Sequence, residues 1–378
     1  MHKIADIFRH YAPAYLQKFG DAIPSEHRKV IHAMVNCRTP NSGVAVFGCK
    51  HCCDKKLVFL GCGNRHCPNC QQDKSQQWLN RTMGNVLPGP HFMITFTVPS
   101  ELRRFFRGNQ KATYNALFKA SSDALKDAIA NPKYCGADLP GFFGVLHTWT
   151  RQLEYHPHMH YVVPGGGLNR NSGLWQKSQA EYCVPERVLS ALVKAKFRDL
   201  MMQAGLLNQI PKHVWRRTWV VDAQAVGNNT QGVLNYLAPY VFRVAISDSR
   251  IVSVQNDLVT FKYTPSGTKD TKLLTLHASE FIRRFLQHVL PTGFMKIRYY
   301  GFMSPGCPVS SIEVAAMVQL ANSQSSVFTP PPVLLSLSQR PTFKCPCCGK
   351  DMQLQQIWKK NRPVYTSTNQ TRLHCRIE

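Results

Sequence analysis

Several things are missing from this sequence, and each absence removes a class of function. No run of about twenty apolar residues occurs, so no segment suits a membrane-spanning helix. Residues 1–15, MHKIADIFRHYAPAY, read as a short amphipathic helix without the apolar core and small-residue cleavage site of a signal peptide, and a cytoplasmic protein is expected. There is no internal repeat and no long low-complexity tract, which argues against a solenoid or a disordered scaffold. A GxxxxGK phosphate loop is absent, as is the HExxH pair of zinc hydrolases. Acidic residues are scarce: 21 Asp and Glu face 46 Lys and Arg, a formal charge of +25. Such an excess concentrates a polyanion and releases counterions when one binds, so nucleic acid is the expected partner and a membrane is not.

What is present is a foldable chain of 378 residues, 44% hydrophobic and 10% aromatic, long enough for two or three units. Residues 1–36 read as helices, 37–70 as a cysteine-rich knot and 71–85 as a helix leaving it. After Pro88, the β-branched and aromatic run His91–Val98 predicts a buried strand, followed by a helix over 101–131. Strands at 141–150 and 158–163, a helix over 185–204, a strand at 218–223 and a helix carrying 235–242 complete the pattern. That order predicts an α+β sandwich, an antiparallel sheet with helices on one face. A hairpin turning at Gln255-Asn256-Asp257 and a helix over 278–289 follow. The expected boundaries are 1–87 for the N-terminal helices and zinc-binding domain, 88–302 for the core, 303–342 for a Ser- and Pro-rich linker, and 343–378 for a C-terminal cysteine cluster.

The segment HPHMHYVVPGGG places His158 and His160 two apart on a predicted strand, so both face the same side and can share an ion. If the strands before and after Gln152–Leu153 form a hairpin, His147 lands beside the pair. Gln152 and Glu154 are alternative third donors, and His156 is expected behind the ligands or facing substrate. Three protein ligands leave coordination positions open, as a catalytic metal requires, and Mg²⁺ or Mn²⁺ on a phosphate would be the working ion. In LNYLAPYVFR, Tyr236 and Tyr240 stand at helical spacing with Arg243 close by to bind a phosphate, although Pro239 leaves their shared face open. Two phenols near a metal-held phosphate would permit two strand transfers. Lys296 and Arg298, alternating with aromatic rings in KIRYYG, are further candidates for contacting DNA.

Of fourteen cysteines, nine crowd into residues 49–70 and 345–348 at CxxC spacing typical of metal sites. Cys49, Cys52, Cys67 and Cys70 are the expected ligands of one zinc ion. Cys37, Cys53, Cys62 and His66 are spare donors, of which Cys37, Cys62 and His66 would form a second site. Lys50, Lys55, Lys56 and Arg65 would let the knot grip duplex or hairpin DNA. Cys345 and Cys348 form one further knuckle, for which only His374 and Cys375 remain as partners, so a third site, a remnant and an oligomer contact all stay open.

Taken together, LHTW, HPHMHYVVPGGG, YLAPYVFRVAISDSRI, CGNRHCPNCQ and FIRRFLQHVLPTGFMKIRYYGF resemble the motifs of the rolling-circle transposases of the IS-ninety-one type, over nearly the whole chain. The resemblance implies an HUH endonuclease core with a ferredoxin-like antiparallel sheet, His158 and His160 as metal ligands, and Tyr236 and Tyr240 as nucleophiles. It also implies single-stranded DNA and element-end hairpins as partners, a nucleoid-associated location, and work as a monomer or dimer. The spacing of His147 with His158 and His160 is similar to the three-histidine site of conjugative relaxases. A relaxase or replication initiator would share this chemistry, and a non-catalytic zinc protein that binds DNA or RNA is the rival of another class; it would have no need of an open histidine site.

Overall fold

The computed structural model describes residues 3–71, 87, 89–178, 184–227, 244–265, 267–322 and 343–367. Its helices are α1 Ile4–Phe19, α2 Ser25–Asn36, α3 Arg103–Gly108, α4 Gln110–Ala130, α5 Glu186–Gln203, α6 Ala278–Leu286 and α7 Ser311–Asn322. The strands are β1 Val44–Gly48, β2 Lys55–Phe59, β3 His91–Thr97, β4 Gly141–Trp149, β5 Tyr155–Pro164, β6 Gly166–Asn169, β7 Leu174–Lys177 and β8 Val220–Gly227. They continue with β9 Ile251–Gln255, β10 Leu258–Tyr263, β11 Lys272–His277, β12 Ile297–Gly301, β13 Phe343–Lys344, β14 Asp351–Lys359 and β15 Arg362–Thr366. Two compact units emerge, one from Met1–Lys74, Ile246–Val289 and Leu335–Glu378, the other from Ser75–Ala245 and Leu290–Leu334. The sequence had suggested an unbroken core over 88–302 and a separate C-terminal cluster; instead, 246–289 and the C-terminal cysteines fold with the N-terminal region.

The second unit is built on a five-stranded antiparallel sheet in the order β12-β4-β5-β3-β8. Strand β5 inserts between β3 and β4, so the chain from β3 through β8 has the split β-α-β-β-α-β connectivity of ferredoxin-like folds. This confirms the expected α+β class. The apolar residues of α4 recur at helical spacing, and Tyr114, Leu117, Phe118, Ser121, Leu125 and Ile129 are all buried. Their polar atoms lock the helix onto the sheet: the Tyr114 and Tyr155 hydroxyls lie 2.6 Å apart, and Ser121 Oγ lies 2.7 Å from the Tyr161 hydroxyl. Phe106 stacks on Phe197 of α5, closing the helical layer over the same face. Gly144 sits beneath Tyr161, where a Cβ would overlap the ring.

Residues 303–342 are not all linker, because α7 lies within them and buries Val314 and Val318 beside Phe302 and Trp175. A capping box starts it: the Glu313 N–H donates to Ser310 Oγ at 3.2 Å, and the Ser310 N–H donates to Glu313 Oε2 at 2.7 Å.

In the first unit, α1 packs on α6 through a Phe8–Phe285 edge contact at 5.1 Å, and the Ile4 N–H donates to Asp248 Oδ1 at 2.9 Å. That packing ties 246–289 to the N-terminus. Strands β9, β10 and β11 form a meander whose Phe261 meets Phe281 of α6. The β9–β10 turn was legible: Asn256 and Asp257 take φ 49 and 60, the left-handed pair of a tight hairpin. A second sheet runs β2-β1-β14, with β13 and β15 both paired to β14.

Candidate metal centres

The histidine site rests on one hairpin. Strands β4 and β5 are joined by a turn at 151–153, where buried Leu153 takes φ 61 and donates its N–H to the Thr150 carbonyl at 3.1 Å. The register sets His147 opposite His158 and Val145 opposite His160. Along β5 burial alternates: Tyr155, Met159 and Tyr161 face the helices, while His156, His158 and His160 stand half-buried on the other side. His147, His158 and His160 therefore converge, with one donor atom from each within 4.8 Å of the others. Ring centroids are 5.5 Å apart for His147–His158, 4.7 Å for His147–His160 and 4.8 Å for His158–His160.

The surroundings aim these rings. His158 Nδ1 lies 2.7 Å from the His156 carbonyl, which can only accept, so Nδ1 carries the proton and Nε2 is the donor left for an ion. His160 Nδ1 is 3.0 Å from Thr95 Oγ1 on β3, which pairs directly with it. His147 is buried and stacks on Trp149 at 4.6 Å, and Lys296 Nζ stands 5.1 Å from the same indole. His156 stands on the same side of β5 but outside the three-histidine group. Its Nδ1 accepts from Arg103 at 2.8 Å, and burial, aided by the charges of His158 and Arg103, pulls its pKa down to about 4. Three converging imidazoles, two of them half-buried, fit a divalent cation that could also bind substrate oxygens.

Exposed Glu154 lies outside this group, and Gln152 lies in the turn. Arg298 departs from the expectation of a DNA contact: it pairs across the sheet with Gly144, lies 4.2 Å over the Phe118 ring and donates to Asn115, so it serves the helix face. Tyr236, Tyr240 and Arg243 lie outside the described residues, as do His374 and Cys375. The sequence reading missed Thr95, Arg103 and Trp149. For Thr95 the signal was the polar positions Thr95 and Thr97 in an otherwise apolar strand, which pair with His160 and His158.

The cysteines divide differently from the expected pairing. Cys37, Cys62, Cys67 and Cys70 form one group, with Sγ separations of 3.6–3.7 Å. Cys49 and Cys52 instead meet Cys345 and Cys348. Geometry explains the exchange: the 49–52 knuckle stands between β1 and β2, while Cys37 follows α2 and its carbonyl accepts from Arg9 at 2.6 Å, which sets it beside Cys67 and Cys70. His66 belongs to neither group, and Arg65 is half-buried in the loop between Cys62 and Cys67, where burial lowers its pKa. Backbone N–H groups of His51 and then Cys52 hold the Cys49 thiol down at about 6, which favours the thiolate that binds metal.

Comparison with known proteins agrees with this geometry. Residues 141–311, which include all three histidines, match a family model described as "Putative transposase", and residues 7–98 match one described as "Transposase zinc-binding domain". The chain is 36% identical over 322 residues to "Putative transposase y4qJ" of Sinorhizobium fredii, covering 80% of each protein. It is 28% identical over 344 residues to "Transposase for insertion sequence element IS801" of Pseudomonas savastanoi pv. phaseolicola, covering 86% of this chain and 82% of that one.

Proposed function

This chain belongs to the IS-ninety-one family of transposases, and on that premise we propose that it nicks and rejoins single-stranded DNA at its element's ends through 5′-phosphotyrosine intermediates. The observation that carries this reading is the convergence of His147, His158 and His160 on the sheet face away from the helices. A divalent cation bound there, Mg²⁺ or Mn²⁺, would draw charge from a DNA phosphate and make it open to attack by a phenol of ordinary pKa about 10. Imidazole donors favour Mn²⁺ over Mg²⁺ in this pair.

The chain's own residues have separate tasks. His158 and His160, oriented by the His156 carbonyl and by Thr95, would keep their donor nitrogens turned toward the ion. Lys296, beside Trp149, supplies positive charge for the strand, and the indole offers a stacking surface for a base. Tyr236 or Tyr240 attacks phosphorus through its phenol oxygen. The bond to the 3′ oxygen breaks, leaving a 3′-hydroxyl on one side and a tyrosine-linked 5′-phosphate on the other. Reversal by a new 3′-hydroxyl rejoins DNA without a nucleotide cofactor, and the second tyrosine allows a second transfer. In the cysteine-rich unit, Lys50, Lys55, Lys56 and Arg65 would grip hairpin or duplex DNA at the element's end. A protein acting on its element's DNA would work in the cytoplasm, at the nucleoid.

Peptide mapping of DNA-linked protein tests the nucleophiles. Tyr236→Phe and Tyr240→Phe singly should retain partial nicking or fail at different steps, and the double variant should form no adduct. Undiminished adduct in the double variant would rule the pair out.

A further inference from the structure

The motif matches leave residues 343–367 without a role, yet these residues complete a metal site. We infer that Cys49, Cys52, Cys345 and Cys348 bind a second structural zinc ion, separate from the one held by Cys37, Cys62, Cys67 and Cys70, and that this ion clips the C-terminal segment into the N-terminal unit.

The first support is distance. Cys52 and Cys345 bring their sulfurs to 3.2 Å, Cys49 and Cys348 to 3.4 Å, and Cys52 and Cys348 to 3.8 Å. A tetrahedral zinc ion with bonds of about 2.3 Å sets its sulfur ligands about 3.8 Å apart, whereas a disulfide needs about 2.05 Å. The second support is that the two knuckles share one backbone design. In each, the first cysteine's N–H donates to the carbonyl five residues on: Cys49 to Asp54 at 2.9 Å, and Cys345 to Lys350 at 2.8 Å. In each, the residue after the second cysteine is left-handed, Cys53 at φ 57 and Gly349 at φ 70. A Cys-x-x-Cys turn of this shape aims both sulfurs at one point, and the His51 N–H donates to Cys49 Sγ at 3.4 Å, a bond that favours a thiolate.

The third support is what the sheet lacks. Its core is small, chiefly Ala45, Phe47, Met352 and the cysteines themselves, while β15 is exposed along its length. A sheet with so little buried surface needs a staple, and a metal clip does most where it closes a long loop. Here the paired cysteines are 293 and 299 residues apart, and Ser75–Ala245 and Leu290–Leu334 lie between them in sequence. A chain ending before Cys345 would leave Cys49 and Cys52 with half a ligand set.

The test needs no substitution. Zinc is withdrawn stepwise from the full-length protein by a chromogenic chelator, each step is pulsed with a thiol alkylator, and labelled cysteines are identified by mass spectrometry. Exposed Cys347 should label from the start, as the internal control. Cys49, Cys52, Cys345 and Cys348 should be protected while zinc is bound and then label together. Labelling of Cys345 and Cys348 in the zinc-loaded protein while Cys49 and Cys52 stay protected would overturn the site, as would recovery of a disulfide among the four. A second measurement counts zinc in a His147→Ala, His158→Ala, His160→Ala background. Cys49→Ser with Cys52→Ser, Cys345→Ser with Cys348→Ser, and all four changes together should each lose the same single equivalent. Loss of two equivalents from the fourfold variant, or of none from the Cys345, Cys348 pair, would contradict a shared ion.

Discussion

The histidine cluster and the cysteine clusters sit at opposite ends of what a metal site can be. His147, His158 and His160 come from one hairpin, offer neutral nitrogen donors and leave coordination positions open. Each cysteine cluster offers four sulfurs, enough to close a tetrahedron around one ion, and one of them recruits residues from distant parts of the chain. An open site on a sheet that is already packed can lose its ion and keep its fold. A closed site under a sheet with so small a core cannot. The difference separates a place for chemistry from a means of construction.

The largest effect should come from breaking a closed site. Cys67→Ser should remove one zinc ion and with it most of the soluble protein, since zinc binding to such clusters is itself folding energy of roughly 10 kcal/mol or more. Metal analysis and thermal melting check this, and unchanged zinc content would refute the assignment of Cys67. Next in size, Thr95→Val should weaken Mn²⁺ binding by about tenfold to a hundredfold, the usual cost of losing the partner that orients a ligating histidine. Titration calorimetry would read it, and Thr95→Ser should restore affinity; equal loss in both variants would point to packing and not to the hydroxyl. Gly144→Ala should cost about 1–3 kcal/mol of stability in denaturant melts, because a Cβ there meets the Tyr161 ring.

An effect of similar size comes from another histidine of the same sheet. His91 is buried, bonds the Gly89 carbonyl at 3.1 Å, and has its pKa lowered to about 4 by burial. Unfolded, the same ring titrates near about 6.5, so between these values the unfolded state holds the extra proton. Stability from this residue is whole above about pH 6.5 and falls as pH drops toward about 4, by up to about 1.4 kcal/mol per unit. His91→Leu should flatten that slope in urea melts at pH 4.5 and 6.5, and an unchanged slope would place the titration elsewhere.

Chain distance also decided what the sequence made legible. The alternation in β5 and the turn at 151–153 are local, so the register that aligns His147 with His158 followed from a few residues. The same holds for the order of strands and helices from β3 to β8. The pairing of Cys49 and Cys52 with Cys345 and Cys348 is not local: nearby Cys67 and Cys70 offered an equally plausible spacing, and only the β1–β14 pairing removes it. Helix α7 was hidden by its Ser- and Pro-rich surroundings, although Ser310 and Glu313 carried a capping signal. Arg298 looked like a DNA contact because a strand's period does not say which face its neighbours cover.

The most direct test of the central claim is a denaturing gel of purified protein incubated with labelled single-stranded DNA from the element's end and Mn²⁺. The account predicts a covalent adduct on the 5′ side of the nick, absent with chelator and lost by at least about a hundredfold in His158→Ala, His160→Ala protein that still melts at the normal temperature. An adduct that persists in that variant, or DNA binding with no adduct on any end sequence, would contradict it.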